Sequence, residues 1–367
     1  MTQKTTNDSR VLVAMSGGVD SSVAALLLRQ QGYEIVGAHM KLWDYAEVGA
    51  DIYRDGRCCS LDSINDCRMV CDDIGAPFYT LNLSDRFRVD VIDDFVAEYE
   101  AGRTPNPCIR CNTLVKWDAF LCKAAMLDCD YIATGHYAII EPGGDMNTLR
   151  KGIDDTRDQS YVLWGLSQEA LSRTLMPLGR MTKSEVRRIA REHGLRTAER
   201  KESREICFVA DDDYGRFLRD WREKHNRPEI PPGKIVHEDG TVLGTHSGTA
   251  FYTVGQRRGL GIAHPTPLYV LDIDAENNRV IVGSDASLLK REMMVDNVNW
   301  TSGPVDSGQL EATVKIRYQH PPAPAQLQRL SDTSVRVIFD QAQRAITPGQ
   351  SAVFYDGDLV LGGGIIV

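Results

Sequence analysis

Three cysteines and one glycine-rich turn hold most of the reactive chemistry legible in this chain. Cys108 and Cys111 stand in Pro105-Asn-Pro-Cys-Ile-Arg-Cys-Asn112, and Cys207 stands in Arg204-Glu-Ile-Cys-Phe208. A C-x-x-C pair between prolines has the spacing of redox and metal-binding pairs. Arg110 and Arg204 would favour thiolates beside them. A thiolate is a good nucleophile and can carry terminal sulfur as a persulfide. The alternative is structural zinc, which needs four ligands, with Cys58, Cys59, Cys67 and Cys71 as further donors. Outside that reading, Cys58 to Cys71 are expected in a loop and on a helix face without a catalytic role. Cys122 and Cys129, in or beside a predicted helix, read as core packing.

The second feature is Ala14-Met-Ser-Gly-Gly-Val-Asp-Ser-Ser22, at a strand–helix junction. Gly17 and Gly18 allow a tight turn that presents backbone N–H groups, and Ser16, Ser21 and Ser22 add hydroxyls. A helix beginning near Val19 points its positive end at the turn, an arrangement that suits pyrophosphate. It is not a Walker A loop: GxxxxGK[ST] is absent and no lysine is in place to reach the phosphates. Asp20 beside phosphate makes sense as a magnesium ligand. The bland alternative is a glycine turn of any α/β fold.

These groups need elements to hold them. Strands are predicted at Arg10–Met15, Glu34–Met40, Phe78–Leu83 and Tyr131–Thr134, and helices at Val19–Gln31, Cys67–Ile74, Val89–Ala101 and Lys116–Met126. The alternation implies an α/β, doubly wound parallel sheet, with ligands at the carboxyl ends of its strands. Thr182-Lys-Ser-Glu185 is a capping box for a helix closed by Gly194. After a charged helix at Tyr214–His225 and a turn at Pro228–Gly233, the chain becomes rich in Val, Ile, Thr and Gly with short strands. The expected division is 1–212 catalytic, 213–285 a small central domain, mainly β, and 286–367 a β-barrel-like domain.

Composition narrows the class. With 42% hydrophobic and 25% charged residues among 367, a soluble globular protein is expected. No apolar run approaches the roughly 18–20 residues of a membrane span. The polar first ten residues carry no secretory signal, so the expected location is the cytoplasm. A net charge of −9 argues against a nucleic-acid partner until its distribution is considered. Residues 1–150 hold 14 basic and 22 acidic side chains, whereas 151–260 hold 20 and 17, with the basic excess concentrated between Arg180 and Arg204. A local basic surface on an acidic protein can bind RNA, and it can equally face water.

The loop resembles the signature of the ATP-pyrophosphatase (PP-loop) family, which implies ATP cleavage between the α and β phosphates through an adenylated intermediate. SGGVDSS, GRTPNPCIRCN, ATGHYA, RDQSYVLW, REICFV and GTAFYTVGQRRGLGI follow in that order. The series resembles the tRNA-specific 2-thiouridylase family over nearly the whole chain. The resemblance implies 2-thiouridine formation at the wobble position of tRNAs for Lys, Glu and Gln. The implied cofactors are ATP and Mg2+. The implied sulfur donor is a cysteine desulfurase or a relay protein.

By the same resemblance, Cys207 carries the persulfide and Cys111 is the nucleophile. Ala14, Met15, Ser16, Gly17, Gly18, Val19, Asp20, Ser21, Met40 and Gly135 contact the nucleotide. Asn106, Pro107 and Cys108 face the target base. His136, Arg157, Asp158, Gln159, Arg317, Tyr318 and Gln350 contact tRNA. Some members have Asp in place of Cys108, so a carboxylate mechanism does not transfer. Cys108 would act as a base when ionised, or join Cys111 and Cys207 on a [4Fe-4S] cluster whose open iron takes sulfide. Tyr137 and Tyr161 could stack on bases, although packing is the commoner use. Two other classes stay open: a PP-loop synthetase for a small carboxylate, and a metal- or RNA-binding protein with a degenerate loop.

Overall fold

The computed structural model describes residues 8–43, 61–144, 146–200, 206–209, 211, 213–303 and 308–367. The chain divides into two compact units, one of Met1–Val91, Cys108–Asp212 and Asp358–Val360, the other of Ile92–Pro107, Asp213–Gly357 and Leu361–Val367.

In the first unit Val11, Leu12 and Val13 of strand β1 (Arg10–Ala14) are fully buried. Such an apolar run has no face for water and needs cover on both sides, which parallel sheets supply with helices. β1 lies between β2 (Glu34–Lys41) and β4 (Tyr131–Ala133). β3 (Phe78–Asn82) and β7 (Thr174–Leu175) extend the parallel sheet to the order β3-β2-β1-β4-β7. Helix α1 (Val19–Gln30) follows β1, and α2 (Leu61–Asp73) buries Cys67, Val70 and Cys71 against Val11, Val13 and Ile35. The doubly wound expectation holds. Because β2 and β4 flank β1 on opposite sides, the strand order reverses between β1 and β4, and ligand crevices open at such points.

Two elements differ from the reading above. Pro107–Arg110, Cys111–Ala119 and Phe120–Met126 follow without a break as one helix, α3, π-wound in its middle stretch. It starts nine residues before the expected Lys116, because proline fits the first helical position, where no N–H is required. Cys108 and Cys111 therefore lie in the first turns of a helix. The hairpin β5 (Ala138–Gly143) and β6 (Met146–Lys151) also escaped notice. In β6 only Leu149 is buried, too little alternation to betray a strand.

Helix α4 (Lys183–Glu192) opens with the expected capping box: Thr182 N donates to Glu185 Oε2 at 2.7 Å, and Glu185 N to Thr182 Oγ1 at 3.4 Å. Val186 and Ala190 of α4 pack on Val23, Ala24 and Leu26 of α1.

In the second unit, helix α5 (Tyr214–Lys224) buries Phe217, Leu218 and Trp221. A four-stranded sheet follows, made of β8 (Gly233–His237), β9 (Val242–His246), β10 (Tyr269–Asp274) and β11 (Arg279–Gly283), in the order β10-β11-β8-β9. The remaining strands are β12 (Leu289–Asn299), β13 (Gln309–Lys315), β14 (Ala323–Arg329), β15 (Val335–Arg344), β16 (Ser351–Asp356) and β17 (Leu359–Ile366). They run β12-β15-β14-β13-β16-β17, and pairing of Val295 with Ile366 returns β17 to β12 and closes a barrel. Ala325 and Leu327, then Val335, Val337 and Phe339, alternate inward, and closure leaves these strands no open edge. No helix among the described residues is long and apolar enough to cross a membrane.

Candidate active site

The glycine-rich turn sits at the carboxyl end of β1, beside the point where strand order reverses. Its shape follows from its small residues. Gly17 has φ +74°, and a Cβ there would meet the Ser63 carbonyl oxygen at 2.8 Å, so conformation and space both require glycine. Ser21 Oγ accepts from Ser16 N at 3.1 Å and donates to Gly18 O at 3.2 Å, closing the turn on the first residues of α1. Gly18 is the N-cap and has no side chain to occupy the helix end, where N–H groups and the helix dipole favour an anion. His39 contacts the Met15 carbonyl oxygen through Nδ1 at 3.1 Å. Burial lowers its pKa, which keeps the ring neutral and so a donor at that nitrogen.

The end of β4 completes this crevice. Gly135 lies so close to α1 that a Cβ would meet Asp20 C and Ser21 N at 2.8 Å. Gly135 and the loop are thus brought together as expected, while Met40 lies near the end of neighbouring β2. Tyr137 Oη donates to Asp20 Oδ1 at 2.7 Å, and Lys183 Nζ donates to both Asp20 oxygens at 2.7 Å. Lys183 was missed, and the reading that no lysine stands near this loop needs correction. A sequence signal existed: a lysine at the first position of α4 opposes the helix dipole, and it is tolerated here because an anion lies beside it. Both Asp20 oxygens hold a cation already, so a magnesium ion would bind there by exchanging with Lys183.

The cysteines divide by environment. Cys111 is buried in α3, Cys207 is half-buried, and Cys108 keeps surface open to solvent within crowded surroundings that push its thiol pKa up. Burial outweighs the opposing Lys116 ammonium, so Cys108 favours the neutral thiol and not the thiolate expected of it. Arg110 Nε is directed to the Asp90 carbonyl oxygen at 2.9 Å. Phe208, 1% exposed, packs edge-on against Phe87 and anchors the turn that carries Cys207. Arg204, Cys58 and Cys59 lie outside the described residues. Cys67, Cys71 and Cys129 are core residues, whereas Cys122 is exposed, because Leu121 and Ala124 take the inward face of α3. Among the described residues no three Cys, His, Asp or Glu side chains gather to hold a metal. Cys108, Cys111 and Cys207 are all described, so the arrangement does not fit a cluster.

The expected RNA-facing residues have definite local roles. His136 Nδ1 lies 2.8 Å from Thr134 Oγ1, with its ring against Trp117, and burial followed by Lys116 lowers its pKa to about 3, so it is neutral at physiological pH. Asp158 accepts from Gly152 N, Ser160 N and Ser160 Oγ, and Gln159 Oε1 accepts from Tyr137 N at 3.0 Å. Arg157 N donates to the Asp154 carbonyl oxygen. In the barrel unit Arg317 donates to the carbonyls of Arg344 and Ala345, and Tyr318 is exposed beneath Lys315. Gln350 Nε2 donates to the Thr104 and Pro105 carbonyls, Asn106 is half-buried and Pro107 is buried. Tyr137 and Tyr161 are buried, the packing use and not base stacking. Asn112, also missed, is 1% exposed and ties α3 to the Val162 carbonyl at 2.9 Å.

Family models divide the chain into three. A tRNA methyl transferase HUP domain matches residues 9–211, a tRNA methyl transferase PRC-barrel domain 222–284, and an aminomethyltransferase beta-barrel domain 290–366. The tRNA-specific 2-thiouridylase MnmA of Geotalea uraniireducens is 50% identical, covering 99% of this chain and 96% of its own. The proteins of the same name from Geobacter metallireducens and Clostridioides difficile are 52% and 46% identical, covering 97% and 98% of this chain and 96% and 98% of their own. With the first family model spanning more than half of its length and relatives near 50% identity end to end, the chain belongs to the tRNA-specific 2-thiouridylase family.

Proposed function

We propose that this protein is an ATP-dependent tRNA-uridine 2-sulfurtransferase. The observation that carries the reading is full-length likeness to tRNA-specific 2-thiouridylases, spanning the phosphate loop and all three cysteines. The proposed substrate is the wobble uridine of tRNAs for Lys, Glu and Gln. The division 1–212, 213–285 and 286–367 belongs to the same proposal, and so does a cytoplasmic location.

ATP lies with its phosphates on Ser16–Ser21 and its base and sugar toward Met40 and Gly135. Lys183 supplies the positive charge that the loop's own sequence lacks. Magnesium, when bound, offsets phosphate charge. Uracil O2 attacks the α phosphorus, the bond to the β-phosphate oxygen breaks, and pyrophosphate leaves toward Gly17, Gly18 and the start of α1. Adenylation is needed because oxide is a very poor leaving group and AMP a good one.

A terminal sulfur on Cys207 then attacks C2 and expels AMP with the former O2. The thiolate of Cys111 attacks Cys207 Sγ, freeing 2-thiouridine and leaving a Cys111–Cys207 disulfide that an external thiol reduces. The terminal sulfur comes from a persulfide donor, a cysteine desulfurase or a relay protein. The target uridine leaves the anticodon stack to reach Asn106, Pro107 and Cys108, as chemistry on a base requires. His136, Arg157–Gln159, Arg317 and Tyr318 are the proposed RNA contacts.

The test is purified protein with unmodified tRNA-Lys transcript, ATP, magnesium and a sulfide source, read for 2-thiouridine by mass spectrometry. Aerobic and anaerobically reconstituted preparations run in parallel. Product in both supports the persulfide route. Product only after reconstitution overturns that route in favour of a cluster, and ATP cleavage without thiouridine overturns the sulfur assignment.

A further inference from the structure

The stretch of chain entering the cysteine helix is gripped from two sides within the second unit. Gly102 has φ +76°, and a Cβ there would meet Ile273 Cγ2 at 2.8 Å. Two residues later Thr104 N donates to Pro348 O at 2.8 Å, and Gln350 Nε2 donates to Thr104 O at 2.9 Å and Pro105 O at 3.4 Å. Between them Gly349 has φ +88°, and its missing Cβ would lie 2.9 Å from Thr104 N.

The turn that makes these contacts is itself fastened to the barrel. Gly349 N donates to Ile366 O, and Ile366 N to Gln350 O, both at 2.8 Å, while Gln350 N donates to Thr347 O at 3.2 Å. The contacts to Thr104 and Pro105 are all to backbone atoms, so they fix the path of the chain whatever the side chains do. Asn106, Pro107 and Cys108 are the next residues, and Pro105 and Pro107 each lock φ, which leaves little slack between the grip and the first turn of α3.

We propose that Pro348-Gly349-Gln350 is a positioning clamp that sets the entry of Asn106–Cys111, with Gln350 acting on the reaction through the Cys108 and Cys111 thiols and not by gripping RNA. The roles of those thiols rest on the function proposed above. The clamp itself rests only on the contacts just given, and they replace the RNA contact expected for Gln350 from sequence.

The experiment uses full-length Gln350→Met, which keeps side-chain length and removes the donor. Iodoacetamide labelling of Cys108, Cys111, Cys122 and Cys207 is followed by mass spectrometry across pH, without tRNA or ATP. Labelling at Cys108 and Cys111 changes by about fivefold, the population shift one lost hydrogen bond produces, while tRNA affinity moves less than about twofold. Cys122 and Cys207 are unaffected, and kcat falls with KM retained.

Unchanged labelling at Cys108 and Cys111 overturns the clamp, whatever happens to tRNA affinity. A uniform change at all four cysteines also overturns it, because that is general loosening. Gln350→Glu, which sets a carboxylate against two carbonyls, is the second variant and shifts the same two rates. Labelling needs no thiolation, so failure of the clamp and failure of the proposed function are read separately.

Discussion

Replacing Lys183 by Met tests whether a lysine distant in sequence completes the phosphate site. Its ammonium holds both Asp20 oxygens at 2.7 Å, and the two side chains are 11% and 30% exposed. Removing one partner of a fully buried pair costs about 3–5 kcal/mol, whereas an exposed pair contributes about 0–1 kcal/mol. This pair lies between, and Asp20 keeps the Tyr137 hydroxyl, so the loss is about 2 kcal/mol. In a unit of this size that lowers Tm by roughly 4–8 °C. Catalysis falls further, because a preorganised charge at a developing anion contributes about 100–1000-fold in kcat.

The assay follows AMP and pyrophosphate release with saturating tRNA, beside a thermal melt. Asp20→Asn added to Lys183→Met removes the unpaired carboxylate and restores most of the Tm, but not turnover. If Lys183→Met releases AMP within about threefold of the wild-type rate, transition-state stabilisation by this lysine is refuted. If the double variant recovers both Tm and turnover, the lysine serves only to neutralise Asp20.

Gly135→Ala places a Cβ 2.8 Å from the backbone of α1 at Asp20 and Ser21, which cannot yield as a flexible side chain would. It loses about 1–3 kcal/mol in urea melts and weakens ATP binding measured by calorimetry. Cys207→Ser abolishes 2-thiouridine yet retains tRNA-dependent AMP formation, and loss of both would count against the assigned roles. His136, with its pKa lowered to about 3, shows no titration between pH 5 and 8 by NMR. Because the folded pKa is depressed below the unfolded value near 6.5, stability is full above about pH 6.5 and declines as pH falls toward 3. His136→Asn flattens that decline in melts run from pH 7 to pH 4.

Much of the architecture was legible in the sequence because it is locally encoded. The buried run at Val11–Val13, the Gly17-Gly18 turn and the Thr182–Glu185 capping box each specify their own conformation within a few residues, and the structure bears them out. Alternation along β14 and β15 likewise marked a β module. Local rules failed where polar or ambiguous stretches depend on packing. The β5–β6 hairpin and the first nine residues of α3 are of this kind.

By itself the sequence determined the fold class, the phosphate turn and the three cysteines, since short-range sterics and side-chain chemistry suffice for those. Only the tertiary structure decided what stands across from them. Lys183 reaches Asp20 over 163 residues, Gln350 reaches Thr104 over 246, and His136 and Cys108 have pKa values shifted by burial. Each of these depends on distance and desolvation. Those quantities do not exist until the chain has closed its long loops, and spacing along the chain does not encode them.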